Sequence, residues 1–442
     1  MKEILALGAG RSAIYFIEYF GKLASKESCA FTVADINTAF LKTELQQFNK
    51  INWIDGDLNN DAFLIPLIEK ADIVVSLLPP IMHDRIADLC LAHQKHMATA
   101  SYVSVHMKSL HDEAQKNKII FLNECGLDPG IDHMSACKII HELQNQNVEI
   151  ISFKSYCGGL ITKESIENPW SYKFTWNPRN VVLAGQSTAQ YLSNGERKYI
   201  PAQRIFSTTE VITMPDGTKY EGYPNRDSTN YTEAYGLQSA KTLLRGTLRY
   251  PNFCKGWNAL VNIGLTDNSM QIEHDGLLTN KQLIKRFIKR TNGDIRSNLK
   301  KEFQTLIDDQ VLELFDSIDL LSDEKIKRTS GSVAEYLQDL LEQHWKLKPT
   351  DRDLVVMQHL FETRKNGITG GLKSSLHLEG ENNLKTAMAK TVGLPLALGV
   401  EKILNEEIDS FGVQIPNSPQ WYESILAELE KNGIQFIDEE ME

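Results

Sequence analysis

The sequence has no CxxC pair: its six cysteines stand apart at positions 29, 90, 125, 137, 157 and 254. Scatter of that kind disfavours a disulfide framework or a zinc site and fits reduced thiols. No metal set emerges elsewhere, because His93 and His96, three apart, have no further ligands nearby and read as a solvated helix end. There is no block of lysines and arginines, and the net charge is -11, which argues against a nucleic-acid partner. No apolar run approaches the roughly 20 residues that span a bilayer, so no membrane partner is expected. The start, MKEILALGAG, lacks a basic stretch followed by a long apolar core, and no signal peptide is expected. What remains is an ordinary globular composition, 42% hydrophobic and 24% charged, over 442 residues, more than one core usually serves. The expectation is a soluble, cytoplasmic, multidomain protein.

The first informative stretch is at the front. Lys2 to Leu7 reads as a buried strand, and Gly8-Ala9-Gly10-Arg11-Ser12-Ala13 follows at once, matching G-x-G-x-x-G/A. Ile14, Phe16, Ile17 and Phe20 then form the apolar side of a helix. The first glycine permits a tight turn, the second admits a pyrophosphate, and the helix N-terminus stabilises its charge. Phe31 to Asp35 reads as a second strand, and Asp35 stands 25 residues after Gly10, near the spacing of an acid that binds an adenine ribose. Strand, glycines and helix in that order favour dinucleotide binding over a nucleotide-free α/β domain. The alternation continues through Ile51 to Ile54, a helix capped by Asp57, the strand Asp72 to Leu78 ended by Pro79-Pro80, a helix from His83 to His93, and Ala98 to Tyr102. Such spacing predicts a parallel, doubly wound sheet.

The stretch from Asn123 to His133 follows an apolar strand and precedes a helix. Gly126, Pro129 and Gly130 make a sharp turn, and Asp128, preceding proline, projects its carboxylate from it. The plainer reading is a turn in which Asp132 caps the helix. Val148 to Tyr156 leads to Cys157-Gly158-Gly159, then to an aromatic and polar loop from Asn168 to Arg179. Met214 to Thr218 predicts a hairpin turn. The stretches Glu221 to Ser228 and Leu244 to Pro251 set Arg226 and Arg249 beside stiff backbone, as anion recognition needs, although each arginine alone reads as a surface ion pair. From Gly276 to Lys348 the period is helical, with a stripe of Leu283, Ile284, Phe287 and Ile288 and a capping box at Ser332 to Glu335. Leu354 to Met357 and Ile368 to Leu378 return to strand character, and Thr386 to Leu404 reads as helices broken at Gly393-Leu394-Pro395. The expected fold is α/β: a Rossmann-type doubly wound parallel sheet, a mixed α/β substrate domain and a small helical subdomain. The boundaries are 1–124 completed by 385–442, 125–275 completed by 349–384, and 276–348.

On Gly8 to Ala13, Ser101-Tyr102, Asn123 to His133, Ser155 to Gly159, Asn168 to Arg179, Arg226, Thr247-Leu248-Arg249 and Thr391 to Pro395, the sequence resembles the glutamate-forming saccharopine dehydrogenase family, also called saccharopine reductases. The resemblance runs essentially from end to end. It implies an enzyme that condenses 2-aminoadipate 6-semialdehyde with L-glutamate to an imine and reduces it to saccharopine, within lysine metabolism. It places Tyr102, Asp128 and Cys157 at the reacting centre. Together with the glycine-loop pattern and the spacing of Asp35, it assigns the cofactor to Gly8, Gly10, Arg11, Ser12, Ala13, Asp35, Ser76, Leu77, Leu78, Ser101, Leu127, Asp128 and Pro129. The substrate falls to Ser101, Tyr102, Asp128, Arg226, Thr247, Leu248 and Arg249. Family members generally use NADPH and carry an arginine near the end of the second strand, where this chain has Asp35-Ile36-Asn37-Thr38. The cofactor is therefore NAD or NADP: NADP by resemblance, NAD favoured by Asp35, whose carboxylate repels a 2′-phosphate. A homodimer is compatible with the sequence. Two alternatives are a carboxynorspermidine-type imine reductase, against which the arginines weigh, and a nucleotide-sensing protein without catalysis.

Overall fold

The computed structural model describes residues 1–290 and 292–441. In it the chain divides into two compact units, Met1–Gln146 with Leu384–Gln435, and Asn147–Asn383 with the last strand, Phe436–Met441. In the first unit the buried apolar runs form β1 (Glu3–Leu7), β2 (Ala30–Asp35), β3 (Ile51–Asp55), β4 (Ile73–Ser76), β5 (His96–Ala98) and β6 (Ile120–Leu122). They lie in the order β3-β2-β1-β4-β5-β6, and Gly412–Gln414 adds an edge strand beside β6, every pair parallel. This is the doubly wound order of dinucleotide-binding folds, whose ligands lie outside the carboxyl ends of the strands.

Two local expectations are corrected here. The helix after β3 begins at Asp61, and Asn60, not Asp57, caps it by accepting the Ala62 N–H at 3.0 Å. Asp57 instead accepts the Asn59 N–H at 2.9 Å and tightens the preceding turn. The second correction is larger. Ala387–Leu404 is one continuous helix that carries Pro395 inside it. An interior proline costs about 3 kcal/mol. Burial of Leu394, Leu396, Leu398 and Val400, at about 1.5–3 kcal/mol each, exceeds that cost. Gly393 lets this helix press onto the one after the glycine loop, since a Cβ there would lie 2.8 Å from the Phe16 nitrogen.

The second unit is built on a mixed sheet. Its strands run in the order Glu210–Thr213, Lys219–Pro224, Thr242–Arg249, Glu149–Ile161, Asp353–Lys365, Ile368–Glu379 and Phe436–Met441. Only the pair Thr242–Arg249 with Glu149–Ile161 is parallel along this path. The hairpin turn at Met214 to Thr218 closes as its sequence predicts, with the Met214 N–H donating to the Thr218 carbonyl at 2.9 Å. The helices Ile295–Glu302, Asp309–Asp316 and Val333–His344 share a core with Trp170, Tyr172, Phe253, Trp257 and Trp345. Ser332 and Glu335 form the expected capping box at the start of the last of these. The segment 436–441 pairs here, on the edge of Ile368–Glu379, whereas Ile131–Asn145 lies in the first unit. Among the described residues no helix is long and apolar enough to cross a membrane.

Candidate active site

At the end of β1 the chain turns at Gly8, whose φ of +109° and whose missing Cβ, 3.0 Å from the Leu77 carbonyl, both require glycine. The Leu77 N–H donates to the Leu7 carbonyl at 2.8 Å, so the ends of β1 and β4 are tied side by side. A Cβ on Gly10 would meet only open space, which leaves the loop bare where a pyrophosphate approaches a Rossmann loop. Ala13 is buried and closes the loop against the fold. Bare backbone at a helix start fits a dinucleotide diphosphate. Asp35, at the end of β2, does something its spacing does not reveal. Its Oδ2 accepts the Ala9 N–H at 2.6 Å and its Oδ1 the Asn37 N–H at 3.1 Å, so the carboxylate braces the glycine loop.

Ser76, which ends β4, and Ser101, three residues past β5, are joined by a residue that sequence reasoning passed over. The buried imidazole of His83 bonds Ser76 Oγ through Nδ1 and Ser101 Oγ through Nε2, each at 2.8 Å. Burial holds its pKa down at about 4, so the ring is neutral and can donate at one nitrogen while accepting at the other. The available signal was a histidine opening a helix directly after a buried strand.

The stretch from Asn123 folds as a tight turn. The Gly126 N–H donates to the Pro129 carbonyl at 2.9 Å, the Ile131 N–H to the Gly126 carbonyl at 2.8 Å, and Gly130 takes φ +144°. Asp132 does not cap the helix from outside. It lies in the first turn and accepts the Gly130 N–H at 2.6 Å. Leu127 and Pro129 are buried, Asp128 is half-buried, and the Tyr102 hydroxyl donates to Asp128 Oδ1 at 3.1 Å. Glu124, at φ +55°, holds the strip that carries Tyr102. Its N–H donates to the Ser101 carbonyl at 2.9 Å and its Oε1 accepts the Val103 N–H at 3.0 Å. Its Oε2 lies 2.8 Å from His133 Nε2 in a buried pair. Glu124 and His133 thus hold the strip that carries Tyr102 beside Asp128; the sequence marks the stretch that contains both but gives neither a role.

In the second unit, register puts Cys157 opposite Thr247 and Thr247 opposite Tyr223, with Arg249 opposite Glu221. Period two places Arg245, Thr247 and Arg249 on one face, while Leu248 points into the core of the other. Leu248 serves through its carbonyl, which accepts Arg249 Nη1 at 2.8 Å. The Arg249 guanidinium is 4% exposed. It lies over the rings of Tyr172 and Phe253 at 5.2 Å each. Among the described residues its Nε has no hydrogen-bond partner and it forms no ion pair; the Oε2 of Glu221 opposite it is likewise without a hydrogen-bond partner. Arg245, which sequence reasoning missed, is buried over the Tyr231 ring at 4.3 Å; the R-x-T-x-R alternation was its signal. Arg226 is exposed, in the turn after Pro224, at φ +55°. Cys157 is buried. Among the described residues no metal-binding group occurs.

A parallel sheet in this order, with a bare glycine loop between β1 and its helix, defines a dinucleotide-binding α/β protein of the Rossmann class. The family model for the saccharopine dehydrogenase NADP binding domain matches residues 4–122, and that for the saccharopine dehydrogenase C-terminal domain matches 126–434. The chain belongs to the saccharopine dehydrogenase family. It is 32% identical to saccharopine dehydrogenase [NADP(+), L-glutamate-forming] of Schizosaccharomyces pombe, over 100% of both chains. It is 34% identical to the mitochondrial alpha-aminoadipic semialdehyde synthase of Rattus norvegicus, covering 98% of this chain and 47% of that one. The chain therefore spans about half the length of the mammalian relatives it matches. The apo saccharopine dehydrogenase (L-Glu forming) from Saccharomyces cerevisiae superposes with a TM-score of 0.87 at 30% identity, covering 100% of both chains. A homospermidine synthase from Legionella pneumophila shares the fold, with a TM-score of 0.58 at 10% identity.

Proposed function

We propose that the chain interconverts saccharopine with 2-aminoadipate 6-semialdehyde plus L-glutamate, by NAD(P)-dependent reduction of an imine in lysine metabolism. The observation that carries this is Arg249, a buried guanidinium with no carboxylate against it among the described residues. A buried charge without a counter-ion is costly, and a carboxylate substrate supplies the missing partner. Saccharopine has three carboxylates and glutamate has two. A simple polyamine has none and a carboxynorspermidine only one, so the same observation weighs against a plain polyamine, and a requirement for glutamate separates the carboxylated one.

In the synthetic direction the glutamate nitrogen bonds the aldehyde carbon and the carbonyl oxygen leaves as water. The dinucleotide, when bound, supplies the hydride that converts the C=N carbon to CH–NH. The chain's own groups bind, orient and move protons. The Tyr102 hydroxyl and the Asp128 carboxylate, in contact at 3.1 Å, can hold an amine and pass its proton. Cys157 and Thr247 line the face that carries Arg249, and Arg226, on the exposed turn after Pro224, is the family position for a second carboxylate. The first unit supplies cofactor binding and the second supplies carboxylate recognition. Asp35 considered alone favours NAD over NADP, since its charge opposes a 2′-phosphate. Six buried cysteines outside any disulfide support a reducing compartment, which we take to be the cytoplasm.

The test is hydride consumption from NADPH and from NADH with the semialdehyde and glutamate together, with saccharopine identified by mass. Consumption that needs glutamate and yields saccharopine is expected. Equal consumption when a diamine replaces glutamate, or none with either, would overturn the proposal.

A further inference from the structure

NAD and NADP differ by one phosphate on the adenine ribose, which carries about 1.5 to 2 negative charges at neutral pH. In a sheet of this order the adenine ribose lies by the end of β2. Two acids stand there, and both are already engaged. Asp35 accepts the Ala9 and Asn37 N–H groups, and Asp55 Oδ1 accepts both the N–H and the hydroxyl of Thr38 at 2.8 Å. Donors aimed at a carboxylate offset part of its charge and fix its direction. What the same corner leaves uncommitted is a cation. Arg11, the first side chain after Gly10, lies with its guanidinium carbon 5.4 Å from the ring centre of Phe40, in the first turn of the helix that follows β2. Arg11 is exposed, and among the described residues it has neither a hydrogen bond nor an ion pair. Phe40 is 43% exposed and Ile36 76%, so the ledge beside it is open and apolar.

We infer that Arg11 is the specificity residue for the adenine ribose: it takes a 2′-phosphate and makes the chain an NADP protein in spite of Asp35. This rests on the dinucleotide reading of the glycine loop and on the NADP of the family, and goes beyond both by naming the residue of this chain that selects the cofactor where the family's arginine is missing. A guanidinium presents parallel N–H donors that match two phosphate oxygens, and ring stacking presets its plane. Asp35, turned onto the Ala9 N–H, works as a brace of the loop and not as a reader of the ribose.

The probes are adenosine 2′,5′-bisphosphate and AMP, titrated by calorimetry, with NADPH and NADH titrated by fluorescence. Wild type is expected to bind the bisphosphate at least about tenfold tighter than AMP, with a gap that narrows as salt rises. Arg11→Ala should shrink that gap to about threefold or less and leave AMP and NADH within about twofold of wild type, and Arg11→Lys should fall between, keeping charge without the fork. A wild-type preference for AMP and NADH overturns the inference. So does a gap that survives in Arg11→Ala, or a loss shared equally by AMP and the bisphosphate, which would move Arg11 to the common part of the ligand. If wild type binds neither NADH nor NADPH, the dinucleotide reading itself falls, an outcome distinct from every one above.

Discussion

Two single residues carry opposite relations between stability and activity. Asp128 is half-buried and its Oδ1 accepts the Tyr102 hydroxyl, while the turn around it is closed by backbone bonds from Gly126 and Ile131. Asp128→Asn keeps the shape and removes the charge. We expect normal melting and normal NADPH binding, with kcat/KM lower by roughly 10²-fold, the scale of one positioned proton-transfer group. Turnover near wild type with a lower melting temperature would make Asp128 a brace only. Arg249 makes the reverse case. Its guanidinium is buried without a carboxylate, so Arg249→Met, of similar volume, should leave the melting temperature unchanged or raise it. The same variant should weaken saccharopine binding by about 2–5 kcal/mol, because a substrate carboxylate is left without its fork. A large loss of stability with saccharopine affinity intact would show that the guanidinium is structural.

At the scale of elements, the last residue of β4, Ser76, and Ser101, three residues past β5, are joined by one imidazole. Burial lowers the pKa of His83 from 6.5 to about 4, so the folded state holds its ring neutral while an unfolded chain protonates it. A depressed histidine favours the folded state fully above pH 6.5, and that contribution is lost as pH falls toward 4. The loss amounts to about 3 kcal/mol at most. Denaturant titrations at stepped pH should show wild type and His83→Gln converging between pH 6.5 and 4, with the variant weaker above that window. Parallel curves across the window would remove His83 as the cause. The same elements show what was legible beforehand. The alternation of strands and helices, the glycine loop, the hairpin turn and the capping box depend on local patterns, and the sequence displays them. The His83 bridge, the Glu124 clamp on Val103 and the hold of Asp35 on Ala9 join residues 18, 21 and 26 apart, and only folding makes them neighbours. Pro395 misled for a related reason. Its local cost is visible in the sequence, but the burial that outweighs it, of Leu394, Leu396, Leu398 and Val400, is not.

On the scale of the molecule, the first unit is assembled from two stretches, Met1–Gln146 and Leu384–Gln435. The second stretch supplies the strand beside β6 and the helix packed on Phe16. A fragment of residues 1–146 alone should therefore lack a cooperative melt and bind no NADPH. Joining 384–435 to it through a short flexible linker should restore both, as circular dichroism and fluorescence would show. Cooperative melting of 1–146 by itself would contradict this.

The interleaving also sets a timetable on the ribosome. About 240 residues separate the two stretches of the first unit, so its glycine loop is synthesised long before the helix that backs it. At about 5–20 residues per second the delay is roughly 10–50 s. Throughout that interval the apolar face around Phe16 is without its cover, a natural target for a holding chaperone. The first unit is thus begun before the second and completed only after most of it.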